Sequence, residues 1–443
     1  MLAAIGVSSI DELFRAIPSK LLHRKLLDLP PAHSEDRLVR ELGALATANA
    51  DSERMASFLG AGIYDHYVPA AVRALVSRSE FATAYTPYQP EVSQGTLAVI
   101  FEFQTLICEL TGMDVANASM YDGGSALAEA VMLAAGAKRR ARVLFLGGVH
   151  PFHAEVTRTY ATAAGLEFET LPAPGGTTPA ALLAERLGDD VAAVVVQHPN
   201  VFGCLEDVGR LAEATHRAGA LLIASVDPIS LGVLAPPGEY GADIAVGEGQ
   251  SLGTFANYGG PVLGFFAAKT EHLRRLPGRL AAETADKDGR RGYVLTLQTR
   301  EQHIRRERAT SNICTNTGLV ALMATISLSL LGKKGIREVA EQCLKKAHFA
   351  ARVLERAGAS RLHQEPFFRE FAVRVPGSVE AAVERGLALG LLAGVPLRRL
   401  DPGFEDGLLV AVTERRTRAE IERLGKLMAE MKAGAPALAE AGR

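Results

Sequence analysis

The chain has 443 residues, 48% of them hydrophobic and 22% charged, with a net charge of -2. That length predicts two or three structural units with a substantial core, and the near-neutral balance gives no electrostatic case for nucleic acid or an anionic membrane. Cys108, Cys204, Cys314 and Cys343 lie far apart with no CxxC spacing, so neither a zinc site nor a disulfide framework is expected, and a reducing cytoplasm suits them.

The N-terminus carries no basic region followed by a long apolar run, so no secretory signal is expected. Residues 1–80 read as a helical arm. Acidic residues follow a serine at Ser9-Ile10-Asp11-Glu12 and again at Ser34-Glu35-Asp36, which suits the positive end of a helix. Leu38, Leu42, Leu45 and Ala46 keep helical spacing. Such an arm wraps a partner subunit or its own core. The glycines and the Asp65-His66-Tyr67 cluster of residues 58–69 predict an irregular segment. His66 reads first as a satisfied structural histidine.

Residues 85–95 run Tyr85-Thr86-Pro87-Tyr88-Gln89-Pro90-Glu91-Val92-Ser93-Gln94-Gly95. Each proline fixes its own φ and pushes the residue before it towards an extended conformation. A stiff loop presenting Tyr88, Gln89 and Glu91 follows. It is either a functional loop on a backbone with little freedom to lose or a rigid surface connection. Residues 97–110 have helical period. A Gly123-Gly124-Ser125 turn then opens an alanine-rich helix, where backbone N–H groups form either a phosphate cradle or an ordinary helix start.

From residue 142 strands alternate with helices: 142–146, 166–171, 192–197, 220–224, 242–246 and a returning strand at 259–267. Near-continuous apolar strands of this kind predict an α/β domain with a mainly parallel sheet. Polar residues just beyond strand ends gather at the ligand crevice of such sheets, and His150, Gln197, His198, Asp227 and Gln250 hold those positions. Residues 270–310 are irregular and arginine-rich, and 300–308 read as a salt-bridged helical face. A helix over 318–331 carries polar residues and falls short of a membrane span. It bridges to a small α+β terminal domain with strands at 371–375 and 407–412. The expected division is therefore 1–80, 81–318 and 319–443.

The order of these parts resembles a fold-type-I pyridoxal-phosphate enzyme: a glycine turn for the phosphate, an aromatic residue over the ring, an aspartate on the pyridine nitrogen, and a lysine after the next strand. The lysine is missing. No lysine occurs between Lys138 and Lys269, and Gln250 stands in its place. A carboxamide forms no imine, so this chain cannot hold the cofactor covalently in its own pocket.

Four stretches sharpen the resemblance: TPYQPEVSQG at 86–95, ANAS at 116–119, QTREQHIRR at 298–306 and ATSNICT at 309–315. In this order they resemble the glycine decarboxylase P-protein family over nearly the whole chain, and in particular its N-terminal half, which stands alone as one subunit in the two-subunit form. The resemblance implies oxidative decarboxylation of glycine in the glycine cleavage system and transfer of the aminomethyl group to the lipoyl arm of H-protein. It further implies pyridoxal phosphate bound by a lysine-bearing P-protein subunit 2, with two of each subunit as the natural symmetric assembly. On that reading Tyr88, Gln89 and Glu91 reach the partner's site, beside Tyr85, Thr86, Thr310, Ser311 and Asn312. Gly123, Gly124, Ser125, His150, Asp227 and Gln250 are the remains of a cofactor pocket. The alternative is a catalytically silent scaffold that stabilises its partner and docks H-protein.

Overall fold

The computed structural model describes residues 1–23 and 25–434. The chain divides into two compact units, Met1–Ala50 and Asp51–Arg443. The division falls after residue 50 rather than 80, because Ala56–Ser57 pairs in parallel with Leu391–Leu392 and Phe58 is fully buried in the small C-terminal core. In the first unit the main element is the helix Glu35–Thr47. Ser34 caps it by accepting from Arg37 N, and Arg37–Glu41 and Arg40–Asp36 pair one turn apart. Leu38, Val39, Leu42 and Leu45 are exposed along it.

The second unit is built on a seven-stranded sheet of β1 (Val115–Ala116), β2 (Arg142–Phe145), β3 (Glu167–Thr170), β4 (Val191–His198), β5 (Leu221–Val226), β6 (Ile244–Glu248) and β7 (Gly264–Ala268), in the order β1-β7-β6-β5-β4-β2-β3. The pairs from β3 through β6 are parallel, while β7 runs antiparallel to both β6 and β1. Burial on both faces explains the unbroken apolar run of β4 and β5. Helix α1 (Gln94–Thr111) packs against this unit, and α2 (Gly123–Lys138) is buried along most of its length. Its alanines let it lie close to the sheet. Helix α3 (Pro151–Ala161) covers α2.

The small sheet places β9 (Glu370–Arg374) between β8 (Ser360–Arg361) and β11 (Gly407–Ala411), with β10 (Val395–Pro396) at the edge. Helix α4 (Gly318–Arg356) joins the two cores. It runs well past the expected end and is broken at Gly332, whose φ of 57° suits a residue without a side chain. Before the break it buries Val320, Ala321, Ala324 and Leu328 in the large core; after it, Ala347, Ala350 and Leu354 in the small one. Its length and composition alone would let it cross a membrane. Here one face of it packs on the two cores, and Leu319 and Leu330 are exposed.

Two expectations need correction. Residues 270–310 contain an antiparallel hairpin, Leu280–Ala285 with Arg291–Thr296. Residues 298–308 form three short turns rather than one helical face. Arg300 among them is buried and donates to the carbonyls of Leu276, Gly278 and Leu297, not to a carboxylate.

Candidate functional site

The strand ends of the large sheet do form a polar pocket, but the chain fills it with its own groups. Asp227, just beyond β5, pairs with Arg369 at 2.8 Å. The Arg369 guanidinium is almost wholly buried, lies 3.6 Å from the centre of the Tyr64 ring, and hydrogen-bonds His66 Nε2. His66 Nδ1 in turn meets Glu414 at 2.6 Å. Burial opposes ionisation of Glu414, yet the His66 bond and the Tyr67 N–H outweigh it and bring the carboxyl down to about 2.

Gln250 is equally committed. Its oxygen accepts from Tyr64 N at 2.9 Å, and its amide donates to Tyr64 O at 3.1 Å and Thr254 O at 2.7 Å. At the start of α2, Glu248 accepts from Gly123 N at 3.0 Å, and Asp122 accepts from Ser125 N at 2.7 Å in a capping box. Burial raises Glu248 to about 7. A Cβ on Gly123 would lie 3.0 Å from Glu248 N and 3.1 Å from the His153 ring, a tight fit that Glu248 or His153 would have to shift to accommodate. Gly124 is buried one position on. His150 caps α3 by accepting from Phe152 N, and its ring stacks on His153 at 4.7 Å.

What remains is a cavity of about 40 Å³ lined by Tyr64, His150, Gln197, Asp227 and Arg369 among others. That is room for a few waters and far below the several hundred Å³ of a ligand pocket. A neighbouring cleft of about 610 Å³ shares Gly62, His150, His153 and Glu248 with that cavity and is otherwise lined by Ala61, Ile63, Phe152, Val395, Arg399 and Leu400, so neither Asp227 nor Gln250 faces it. Pyridoxal phosphate does not fit this chain's own pocket: Asp227, Gln250, His150, Ser125 and the Gly123 N–H already have partners in the chain, and no lysine lines the cavity or the cleft.

A second constellation gathers three of the four distinctive stretches, and Asn316 just past the fourth, around Arg279, a residue that looks in sequence like its exposed neighbours. Arg279 Nη2 reaches Thr86 Oγ1 and Nη1 reaches Asn316 Oδ1, both at 3.4 Å, and the guanidinium lies 5.5 Å from the centre of the Tyr88 ring. ANAS supports it: Ala118 N donates to Arg279 O at 2.9 Å, and Asn117 Nδ2 to Pro277 O at 3.1 Å. Asn316 Nδ2 returns to Ala118 O at 3.1 Å. Ser119 holds a φ of 118°, stabilised by Thr317 N on its hydroxyl at 3.2 Å. Arg300 fixes the carbonyls of Leu276 and Gly278.

The 85–95 loop turns tightly at Pro87, where Tyr88 N donates to Thr86 O at 2.9 Å, is extended at Gln89, makes one turn at Pro90–Val92 and enters α1 at Gln94. Gln94 bolts it to the hairpin by a two-way bond with Tyr293, at 2.9 and 2.8 Å. Tyr85 is 94% exposed and Tyr88 57%, and Gln89 and Glu91 are also exposed. Thr310 and Asn312 are exposed as well. Ser311 accepts from Ile313 N and bonds the buried Glu129 on α2, whose carboxyl burial lifts to about 7. Thr86 and Asn316, just past the 309–315 stretch, meet at Arg279, and residues 310–312 do not.

The fold is that of pyridoxal-phosphate-dependent fold-type-I enzymes. A sphingosine-1-phosphate lyase from Burkholderia pseudomallei K96243 matches it with a TM-score of 0.67 at 14% identity, over 92% of each chain. An aspartate aminotransferase from Thermus thermophilus matches at 0.57 and 17%, over 85% of this chain and 98% of that one.

Within that class the chain belongs to the glycine cleavage system P-protein family, whose model matches residues 1–428. It is 52% identical to the probable glycine dehydrogenase (decarboxylating) subunit 1 of Geobacillus kaustophilus (strain HTA426), over 96% of this chain and 94% of that one. The protein of the same description from Carboxydothermus hydrogenoformans (strain ATCC BAA-161 / DSM 6008 / Z-2901) is 51% identical over 97% and 96%. A crystal structure of glycine decarboxylase (P-protein) of the glycine cleavage system in inhibitor-bound form is 48% identical, with a TM-score of 0.90 over 97% of both chains.

Proposed function

We propose that this chain is subunit 1 of a two-subunit glycine dehydrogenase (decarboxylating) of the glycine cleavage system, working in the cytoplasm, and that it lends side chains to a site completed by a lysine-bearing partner. The observation that carries this reading is the contrast within the chain. The pocket the fold would offer a cofactor is closed by Arg369, Tyr64 and Gln250, whereas the 85–95 loop holds Tyr85, Tyr88, Gln89 and Glu91 exposed beside the buried Arg279.

Pyridoxal phosphate on the partner's lysine supplies the electron sink for decarboxylation. This chain's part is positioning. Tyr88 and Glu91 stand on a proline-stiffened loop bolted by Gln94, where they orient glycine or carry a proton, and Gln89 adds a neutral hydrogen-bonding group. Tyr85, Thr310 and Asn312 are exposed and help exclude water once the partner covers them. The lipoyl arm of H-protein enters past these residues, and two copies of each subunit complete the assembly.

Tyr88→Phe, Gln89→Ala and Glu91→Ala in the assembled enzyme test this. Glycine-dependent carbon dioxide exchange should fall about 10- to 1000-fold for at least one variant with assembly intact. Unchanged exchange in all three would leave this chain a silent scaffold.

A further inference from the structure

We propose that Arg279, framed by Thr86, Tyr88 and Asn316, is an oxyanion site that takes a phosphate monoester or a carboxylate presented across the subunit interface. This rests on the reading that the 85–95 face meets the partner's site.

Four arginines are buried among the described residues: Arg279, Arg300, Arg369 and Arg416. Arg369 has Asp227, Arg416 has Asp65 at 3.0 Å, and Arg300 has three backbone carbonyls. Arg279 stands apart. At 4% exposure its guanidinium reaches two neutral side-chain oxygens, each at 3.4 Å, and among the described residues it has neither the carboxylate of Arg369 and Arg416 nor the carbonyls of Arg300. A guanidinium removed from water without a counter-charge is costly. Its flat fork suits a two-oxygen anion.

The surroundings match that assignment. Thr86 Oγ1 accepts from the arginine, which leaves its own proton free for an incoming oxygen. The Tyr88 ring lies beside the guanidinium and limits its tilt. The arginine backbone is pinned on both sides, by Arg300 on Gly278 O and by Ala118 N on Arg279 O, and Gly278 adopts a φ of 69°. A binding group held this firmly loses little freedom on meeting its ligand.

The anion has two sources in the assembled enzyme, the cofactor's phosphate and the carboxylate of glycine. Arg279→Gln removes the charge, and Arg279→Lys keeps the charge without the fork. Both are made in the two-subunit complex, with assembly followed by sedimentation, pyridoxal-phosphate affinity by absorbance titration of the cofactor-depleted complex, and glycine KM by carbon dioxide exchange. Arg279→Gln is expected to weaken one of the two constants about 10- to 100-fold with the complex intact, and Arg279→Lys to recover part of it. A weaker cofactor with unchanged KM assigns the phosphate; a raised KM with unchanged cofactor affinity assigns the carboxylate. Both constants unchanged, or a complex that falls apart in both variants because Arg279 pairs with a partner side chain, overturns the assignment. If Tyr88→Phe or Glu91→Ala still lowers exchange in that case, the shared site stands and only the anion role fails.

Discussion

Asp227 provides the sharpest test of the filled pocket. In Asp227→Asn the side chain keeps its size but loses its charge opposite Arg369, in a pair whose side chains are 12% and 2% exposed. Removing one partner of a buried ion pair costs about 3–5 kcal/mol, because the other charge is left stranded. Arg369 retains the His66 bond and the Tyr64 ring at 3.6 Å, an interaction worth about 0.5–2 kcal/mol. The net loss is therefore about 2–4 kcal/mol. Urea unfolding of the free chain followed by circular dichroism reads this as a midpoint lower by roughly 1 M, taking an m-value near 3 kcal/mol/M. Adding Arg369→Met should recover much of the loss, since an apolar replacement of the whole pair strands no charge. An unchanged midpoint for Asp227→Asn would show that Asp227 is not a structural counter-ion, and the pocket would again be a candidate for an external ligand.

Other outcomes follow from the same geometry. Gln250→Lys restores the missing amine but places it among Tyr64 N, Tyr64 O and Thr254 O beside a cavity of about 40 Å³. Borohydride reduction with pyridoxal phosphate, mapped by peptide mass, should leave position 250 unlabelled, and the variant should be less stable by about 2–4 kcal/mol. Glu370 is buried, which lifts its carboxyl to about 7 against the opposing bonds of Ala61 N and Tyr64 OH. The native state then keeps a proton that the unfolded chain loses between about pH 4.5 and 7, so this group makes stability fall as pH rises through that window. Glu370→Gln should flatten that part of the profile and gain about 1–3 kcal/mol on wild type at pH 8 relative to pH 4.5. Glu414, brought down to about 2, works in a different window: its contribution is lost as pH falls from about 4.5 towards 2. Gln94→Ala cuts both bonds to Tyr293 and should speed hydrogen exchange in the hairpin Leu280–Ala285 with Arg291–Thr296.

The central strands of the large sheet were legible because burial on both faces writes continuous apolar runs, whereas the two-residue edge strand Val115–Ala116 is too short to leave a pattern; Asp227, His150 and the Gly123-Gly124-Ser125 turn stand past strand ends and at a helix start. The contents of the pocket were not legible. Arg369 arrives from β9's approach and Tyr64 from a segment that read as part of an outer arm, and neither contact has any local periodicity. Arg279 was hidden for a related reason. Charge patterning treats arginines as solvated unless something shows otherwise, and in a stretch rich in them Arg279 and Arg300 look like their exposed neighbours. Burial separates them. The cap at Ser34, by contrast, depends only on residues within one turn and could be read directly.

The most direct test is pyridoxal-phosphate binding and glycine-dependent carbon dioxide exchange, measured on this chain alone and after mixing with its lysine-bearing partner. The filled pocket predicts no bound cofactor and no exchange for the chain alone, with exchange appearing on mixing at a level the partner alone does not reach. Cofactor bound by the chain alone, or a partner equally active without it, would contradict a half-enzyme whose contribution lies on its outer face.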